Sequence, residues 1–404
     1  MNIINRYKMS SFVFFLIFGL IATLGMISGG AWAGITIGGA VLLAISVGLE
    51  EGRFGVPDKN ISLFVGAFLI IGTLSAFISP FPEVAFHTTL KLGGVFVPLL
   101  LLTVPAVQKA GARFISENQT VLSYLMLLGL LVLFWFMVFV GQTEGVESMS
   151  MSKTNRAVSY ALLLSLPFLA LAVRQRSIVA GGMLLLMVVV LVFTRSATTQ
   201  LALLGGGVIF LVARFWPSLV GRLIGAGMVA SLGWPFFARY LFDSYQGVLS
   251  KIPATLAARV EIWDYMSYRL SESPLLGCGL GVSHKLGWVE PNGYLYQFTV
   301  SQASHPHNAV IQSWVELGVV GPVLGGVACF WLLSRVQSLD SWLKPYAWAA
   351  LACAYILLMA AYSLWTDSLW GALALTGLTF NLVEKVEIKP SLRSRPHYGE
   401  SKKA

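Results

Sequence analysis

Runs of about 20 predominantly apolar residues recur along almost the whole of this chain, and that recurrence leaves few folds open. A helix needs about 20 such residues to cross the hydrocarbon layer of a bilayer. A soluble domain carries about 25% charged residues. Here 56% of 404 residues are hydrophobic, only 11% are charged, and the mean hydropathy is +0.76. The chain therefore reads as an all-α polytopic membrane protein, with no soluble stretch long enough to form a domain except residues 238–306.

Twelve candidate spans emerge, at residues 11–30, 32–49, 61–79, 92–108, 120–140, 157–173, 178–194, 200–215, 219–237, 314–333, 346–363 and 367–383. The first follows Arg6 and Lys8 as a signal peptide would, but merges into further spans without a convincing A-x-A-like site, so it is expected as an uncleaved helix. The expected division is spans one to nine over 1–237, one large loop at 238–306, spans ten to twelve over 307–383 and a basic tail at 384–404.

Positive residues in short loops set orientation. With the N-terminus cytoplasmic, 18 of the 27 Lys and Arg residues fall on the cytoplasmic side, and five of the other nine lie in the long loop. The reading is N-in and C-in. It puts His305, His307, Arg195 and Arg259 together on the opposite, non-cytoplasmic face. The tail is expected to contact anionic membrane lipids. The same asymmetry accounts for the net charge of +9 without a nucleic-acid partner. Cys278, Cys329 and Cys353 lack metal-type spacing, so neither a zinc site nor a structural disulfide is expected.

The long loop concentrates the polarity. Residues 255–270 read as an amphipathic helix, with Leu256, Val260, Trp263 and Met266 on one face and Arg259, Asp264 and Arg269 on others. Pro274 ends that pattern, and Gly277, Gly279 and Gly281 follow as a turn, either plain or able to approach phosphate closely. Trp288, Tyr294, Tyr296, Phe298 and Tyr265 suit a membrane interface or stacking on sugar rings. At the loop's end stands Ser304-His305-Pro306-His307-Asn308. A neutral imidazole has an unperturbed pKa suited to proton abstraction near neutral pH. Asn308 is placed to cap the following helix, which would leave His307 at its positive end and favour the neutral ring. The bland alternative is a pair of interfacial histidines with satisfied hydrogen bonds.

Arg195 separates two apolar runs, where it either snorkels to water or faces a cavity. In the second case its planar fork can grip phosphate oxygens. Ser196, Thr198 and Thr199 add hydroxyls beside it.

Three segments, Thr194-Arg195-Ser196, Arg259-Val260-Glu261-Ile262-Trp263 with Ser273-Pro274-Leu275-Leu276-Gly277-Cys278-Gly279-Leu280-Gly281, and His307-Asn308 with Glu316-Leu317-Gly318, occur in the order seen in one bacterial superfamily. The chain resembles the O-antigen ligase and Wzy-type polymerase superfamily. That resemblance implies a GT-C-like glycosyltransferase of about twelve spans with one large periplasmic loop between spans nine and ten. It implies transfer of a glycan from an undecaprenyl-diphosphate-linked O-antigen donor to a lipid A–core acceptor, without nucleotide or metal and with no cofactor. By the same resemblance Arg195 and Arg259 match diphosphate-binding arginines and His307 the essential histidine, favoured over His305 because it directly precedes Asn308. His305, Asn308, Arg269 and Ser196 are expected to contact substrate.

The chemistry asks for the same parts. Fixed arginines can neutralise a departing diphosphate, a base must take the acceptor's hydroxyl proton, and the loop has no Asp-x-Asp pair for a metal. Direct attack opposite the leaving group would invert the sugar. Glu261, Asp264, Glu290 and Asp367 are candidates to orient the histidine or an arginine. The alternatives are a Wzy-type polymerase, a protein O-oligosaccharyltransferase or, in a different class, a lipid-linked glycan transporter. A transporter predicts charges at mid-membrane and two related halves, neither of which the sequence displays.

Overall fold

A computed structural model describes residues 8–140, 147–194, 196–249, 251, 253–286, 303 and 305–386. All regular structure among them is helical. In chain order the helices are α1 Met9–Leu20, α2 Ala31–Glu51, α3 Lys59–Ile78, α4 Pro82–Leu100, α5 Pro105–Trp135, α6 Glu147–Arg174, α7 Ile178–Phe193, α8 Ala197–Phe215, α9 Pro217–Ser231, α10 Trp234–Leu249, α11 Ala254–Leu270, α12 Ala309–Leu317, α13 Val320–Ser338, α14 Lys344–Ala360 and α15 Asp367–Glu384. A π-helical turn, Ile21–Gly25, extends α1, and another, Phe136–Val140, extends α5.

Each of the twelve apolar runs overlaps a helix. Among the described residues seven helices are long and apolar enough to cross a membrane, or eight if α9 and the start of α10, bent by 68°, form one broken span. The extended α1, α7 and α14 are shorter apolar helices. A helix apolar all round belongs inside a bundle, and α6 obeys this rule: every residue from 157 to 172 is buried. By contrast α3 and α13 turn Phe77 and Phe330 outward, 82% and 73% exposed. So apolar an exterior is a lipid-facing surface, and the protein is an integral, polytopic membrane protein.

Several boundaries differ from the expected ones, among them that of α5, which starts at Pro105 inside the run expected at 92–108. α4 starts at Pro82, ten residues before the expected run, because proline suits a first helical position and Glu83 suits the positive end of the helix. The expected span at 219–237 breaks at Gly233, between α9 and α10. The expected span at 314–333 is two helices, α12 and α13, separated at Gly318 (φ +57°, ψ −149°), a conformation no helix contains.

The region expected as a loop is largely helical up to Leu270. α11 matches the expected helix to within one residue, with Val260, Trp263 and Met266 buried and Leu256 exposed. Glu261, Asp264 and Arg269 are buried as well, because α11 is packed between α10 and α12 instead of lying on a surface.

Candidate active site

The site forms where five pieces of chain meet: the first turns of the buried part of α6, the start of α8, the middle of α11, residues 305–308, and the end of α14. Local sequence explains each placement. Asn308 caps α12, its side chain accepting the N–H groups of Val310 and Ile311 at 3.0 Å each. Ser196 caps α8 by accepting Thr199 N–H at 3.3 Å, and also accepts the Thr199 hydroxyl at 2.8 Å. Trp263 lies one helical turn from Arg259 and therefore on the same face of α11. Its indole N–H donates to the carbonyl of Pro306 at 3.0 Å, fastening the histidine segment over that face.

His307 itself adopts φ +53°, a left-handed conformation that costs an ordinary residue of order 1–3 kcal/mol. Two bonds hold it there. Its backbone N–H donates to Nδ1 of His305 at 3.1 Å, and its own ring Nδ1 lies 3.0 Å from the carbonyl of Ala361. A carbonyl only accepts, so Nδ1 of His307 carries the proton and the lone pair of the neutral ring is on Nε2. For His305 the logic reverses: Nδ1 is the acceptor, so Nε2 carries the hydrogen. The two rings sit 4.0 Å apart between centroids.

Both rings are held neutral. Burial, the neighbouring His307, then Arg156 and Arg259 push the pKa of His305 down to about 3. Burial also lowers that of His307, opposed by the Ala361 bond and reinforced by Arg259.

Arg259 donates from Nη1 to the hydroxyl of Thr198 at 3.1 Å, and Thr198 lies 3.5 Å from the carbonyl of Ala360. Consecutive carbonyls at the end of α14 thus serve both halves of the site: Ala360 through Thr198 to Arg259, and Ala361 to His307. These are the acceptors a helix leaves without an internal partner. Arg156 of α6 is the residue that sequence reasoning counted only as an orientation charge. Its charge reaches His305, Tyr160 and Tyr362. Like Arg195, it stands where a polar stretch meets an apolar run, and that is the signal that marks it. Among the described residues neither Arg156 nor Arg259 has a carboxylate in ion-pair range. Beside them runs a chain of hydroxyls, from Tyr362 to Ser159 (2.8 Å), Thr199 (2.8 Å) and Ser196.

Arg195 lies outside the described residues; Thr194 and Ser196 on either side of it lead into α8. Arg269 lies ten residues beyond Arg259 on α11, roughly 15 Å along its axis, where its Nη2 pairs with Glu272 at 3.0 Å. Two of the expected carboxylate orienters, Asp264 and Asp367, lie against other cations. Glu290 lies outside the described residues, Asp264 is 3.9 Å from Arg239, and Asp367 is 3.6 Å from Lys91. A backbone carbonyl, Ala361, takes the role in the acceptor's place. Tyr265 is 1% exposed and packs in the core around α11, so it neither anchors an interface nor faces a sugar; Trp288, Tyr294, Tyr296 and Phe298 lie outside the described residues.

The glycine turn has a structural occupation that leaves no N–H for a phosphate. Cys278 N–H and Gly279 N–H donate to the last carbonyls of α12, Val315 and Glu316, at 2.9 Å each. Leu280 N–H goes to Ser75, and Gly281 N–H to the Glu316 side chain. A Cβ on Gly277, at φ +70°, would strike the Glu316–Leu317 peptide. Among the described residues no three His, Cys, Asp or Glu side chains cluster to hold a metal.

Comparison with known proteins follows the same segments. Residues 182–326 match the family described as O-Antigen ligase. A protein from Rickettsia conorii, named as a candidate polysaccharide ligase, is 28% identical over 193 residues, covering 46% of this chain and 46% of that protein. Relatives of the same description from Rickettsia felis and Rickettsia typhi are 27% and 26% identical, each over 195 residues and 46% of both chains. The similarity thus spans less than half the length of these relatives. The stretch similar to the O-antigen ligase family, residues 182–326, is the one that holds Arg195, Arg259 and both histidines.

Proposed function

We propose that this protein is an inverting, metal-independent glycosyltransferase. It transfers an O-antigen glycan from undecaprenyl-diphosphate to the lipid A–core oligosaccharide, on the periplasmic face of the bacterial inner membrane, with both termini cytoplasmic. The observation that carries this reading is the juxtaposition of an imidazole whose Nδ1 is committed to the Ala361 carbonyl with a half-buried guanidinium that, among the described residues, has no carboxylate partner. Such a pair is a base beside an anion site.

The roles follow from the bonds. The acceptor hydroxyl gives its proton to Nε2 of His307 as its oxygen attacks the anomeric carbon. The bond from that carbon to the diphosphate oxygen breaks, and the electron pair leaves with the phosphate. Arg259 and Arg156, with Arg195 from the start of α8, neutralise the growing charge, a task that needs fixed cations and not necessarily a metal. His305 contributes an Nε2–H donor facing the same space. Asn308 and Ser196 act through the helix caps that fix this backbone. Arg269, buried and paired with Glu272 roughly 15 Å further along α11, takes no part in this step.

The test uses purified protein in detergent with undecaprenyl-diphosphate-linked glycan and lipid A–core, a chelator present and no nucleotide. Glycan on lipid A–core, lost in His307→Ala and in Arg259→Ala, is the expected result. Glycan lengthened on its own carrier would make the protein a polymerase. No transfer to either acceptor would overturn the proposal.

A further inference from the structure

His307 owes its tautomer to the carbonyl of Ala361, yet that carbonyl stands in a stretch with no helical ladder around it. α14 ends at Ala360, Ala361 has left helical geometry (φ −129°, ψ −54°), and α15 begins only at Asp367. Ala361 and Tyr362 N–H both still donate to the Leu357 carbonyl of α14, whereas the next two residues, Ser363 and Leu364, are tied to α12. Oε1 of Gln312 accepts Leu364 N–H at 2.8 Å, and the same amide meets the Ser363 hydroxyl at 3.1 and 3.3 Å. Nε2 of Gln312 then donates to Oε1 of Glu316 at 3.1 Å. A side-chain amide has one donating and one accepting end. Leu364 N–H can only donate and a carboxylate can only accept, so a single amide orientation satisfies both.

Glu316 is held in turn. Its Oε1 also accepts the Ser283 hydroxyl at 2.7 Å, and its Oε2 accepts Gly281 N–H and the Trp365 indole N–H. The residue is wholly buried, 0% exposed, and Gln312 is 1% exposed. Four donors thus converge on one carboxyl group. So many directed bonds to one buried group specify a geometry far more tightly than apolar packing does.

We infer that Gln312 and Glu316 are positioning residues for His307, holding the Ala361 carbonyl where it keeps the proton on Nδ1 and leaves Nε2 free as the base. This deepens the reading above, which takes Nε2 of His307 as the proton acceptor. α12 then grips the ring from two sides. Asn308 caps its first turn directly after His307, and Gln312, one turn further on, secures the carbonyl the ring points to.

The experiment is magic-angle-spinning NMR of the full-length protein in lipid, labelled with ¹⁵N-histidine and without substrate, the His307 signals being assigned by their loss in His307→Gln. Wild type is expected to give a single His307 form, protonated at Nδ1. Gln312→Leu and Glu316→Gln should each mix the two tautomers and lower kcat roughly 10- to 100-fold, the range typical when a histidine loses its orienting partner. KM should change little. The acid limb of the pH profile should move to lower pH, because the lost carbonyl bond is what raises the pKa of His307.

The reciprocal double variant Gln312→Glu with Glu316→Gln keeps the charge, nearly the volume and the same partners, with the Ser283 hydroxyl now accepting and the Ser363 hydroxyl only donating. The new carboxylate accepts from Leu364 and from the new amide, whose second N–H turns to the Ser283 oxygen. It should restore the single tautomer and most of the rate. Single variants that keep the wild-type tautomer, or a double variant that fails to fold or to restore it, would overturn the inference. Because the spectrum is read without substrate, a failed transfer assay would refute the glycan-transfer reading and leave this one to be judged by itself.

Discussion

Removing the Arg259 guanidinium tests the site most sharply, because it should change two independent quantities at once. The side chain is half-buried, carries no ion pair among the described residues, and is anchored by one bond, to Thr198 at 3.1 Å. Its planar fork can offer a phosphate two parallel N–H···O bonds. A hydrogen bond to a charged group contributes about 1.5–3 kcal/mol, so two contribute about 3–6 kcal/mol. At 1.36 kcal/mol per factor of ten, Arg259→Ala should lower kcat/KM roughly a hundred- to ten-thousand-fold. The loss should fall mainly on kcat, since the leaving group gains its charge in the transition state. Arg259→Lys keeps the charge without the fork and should fall between.

The second quantity is the pH profile. The Arg259 charge holds the pKa of His307 down. The base works as the neutral ring, so the rate falls as pH drops through that pKa. Without the guanidinium the pKa rises toward its ordinary value, and the acid limb of kcat/KM should move to higher pH. The assay is transfer to lipid A–core across pH 4.5–8 with circular dichroism to check the fold. A limb that stays in place or moves lower, or a loss below tenfold in a folded variant, would refute the shared site.

Further expectations follow from single contacts. Below pH 6.5 the unfolded state binds a proton at His305 that the folded state, with its pKa near 3, does not; stability should therefore fall by up to about 1.4 kcal/mol per pH unit as the pH drops, and His305→Gln should flatten the pH dependence of the melting temperature by about one proton. Asn308→Ala removes two capping bonds at 3.0 Å and should cost about 1 kcal/mol, read in thermal melts, with a larger loss of rate because His307 adjoins the cap. Gly277→Ala places a Cβ at φ +70° against the Glu316 carbonyl group; backbone strain alone should cost about 1–3 kcal/mol, visible as a lowered melting temperature that Ala at Gly34, with open space around it, does not share.

Much of the bundle was legible in advance because hydrophobic length is a local property. The apolar runs at 178–194 and 367–383 coincide with α7 and α15 almost to the residue. Asn308 as a cap was legible for the same reason: an acceptor side chain and the two N–H groups it serves are close neighbours in sequence. The glycine turn could be left open between a plain turn and a phosphate cradle because its N–H groups bond to Val315 and Glu316, about 37 residues away, and no short-range pattern reports that. The acidic residues were searched for a partner to His307, and the partner was a main-chain carbonyl, which has no residue type to find.

The sequence by itself determined that this chain lives in a membrane, where its helices run, and which few polar residues lie at the edges of apolar segments, because bilayer thickness and burial of backbone polar groups act on each segment separately. Only the tertiary structure decided that Arg156 joins Arg259 at the histidines, that Arg269 lies a long way along α11, and that His307 rather than His305 has its Nε2 lone pair free. Those outcomes depend on which hydrogen bond each ring nitrogen makes: the His307 backbone N–H is only two residues from His305, but Ala361 is brought to His307 by packing of α14 and α12 across 54 residues of chain.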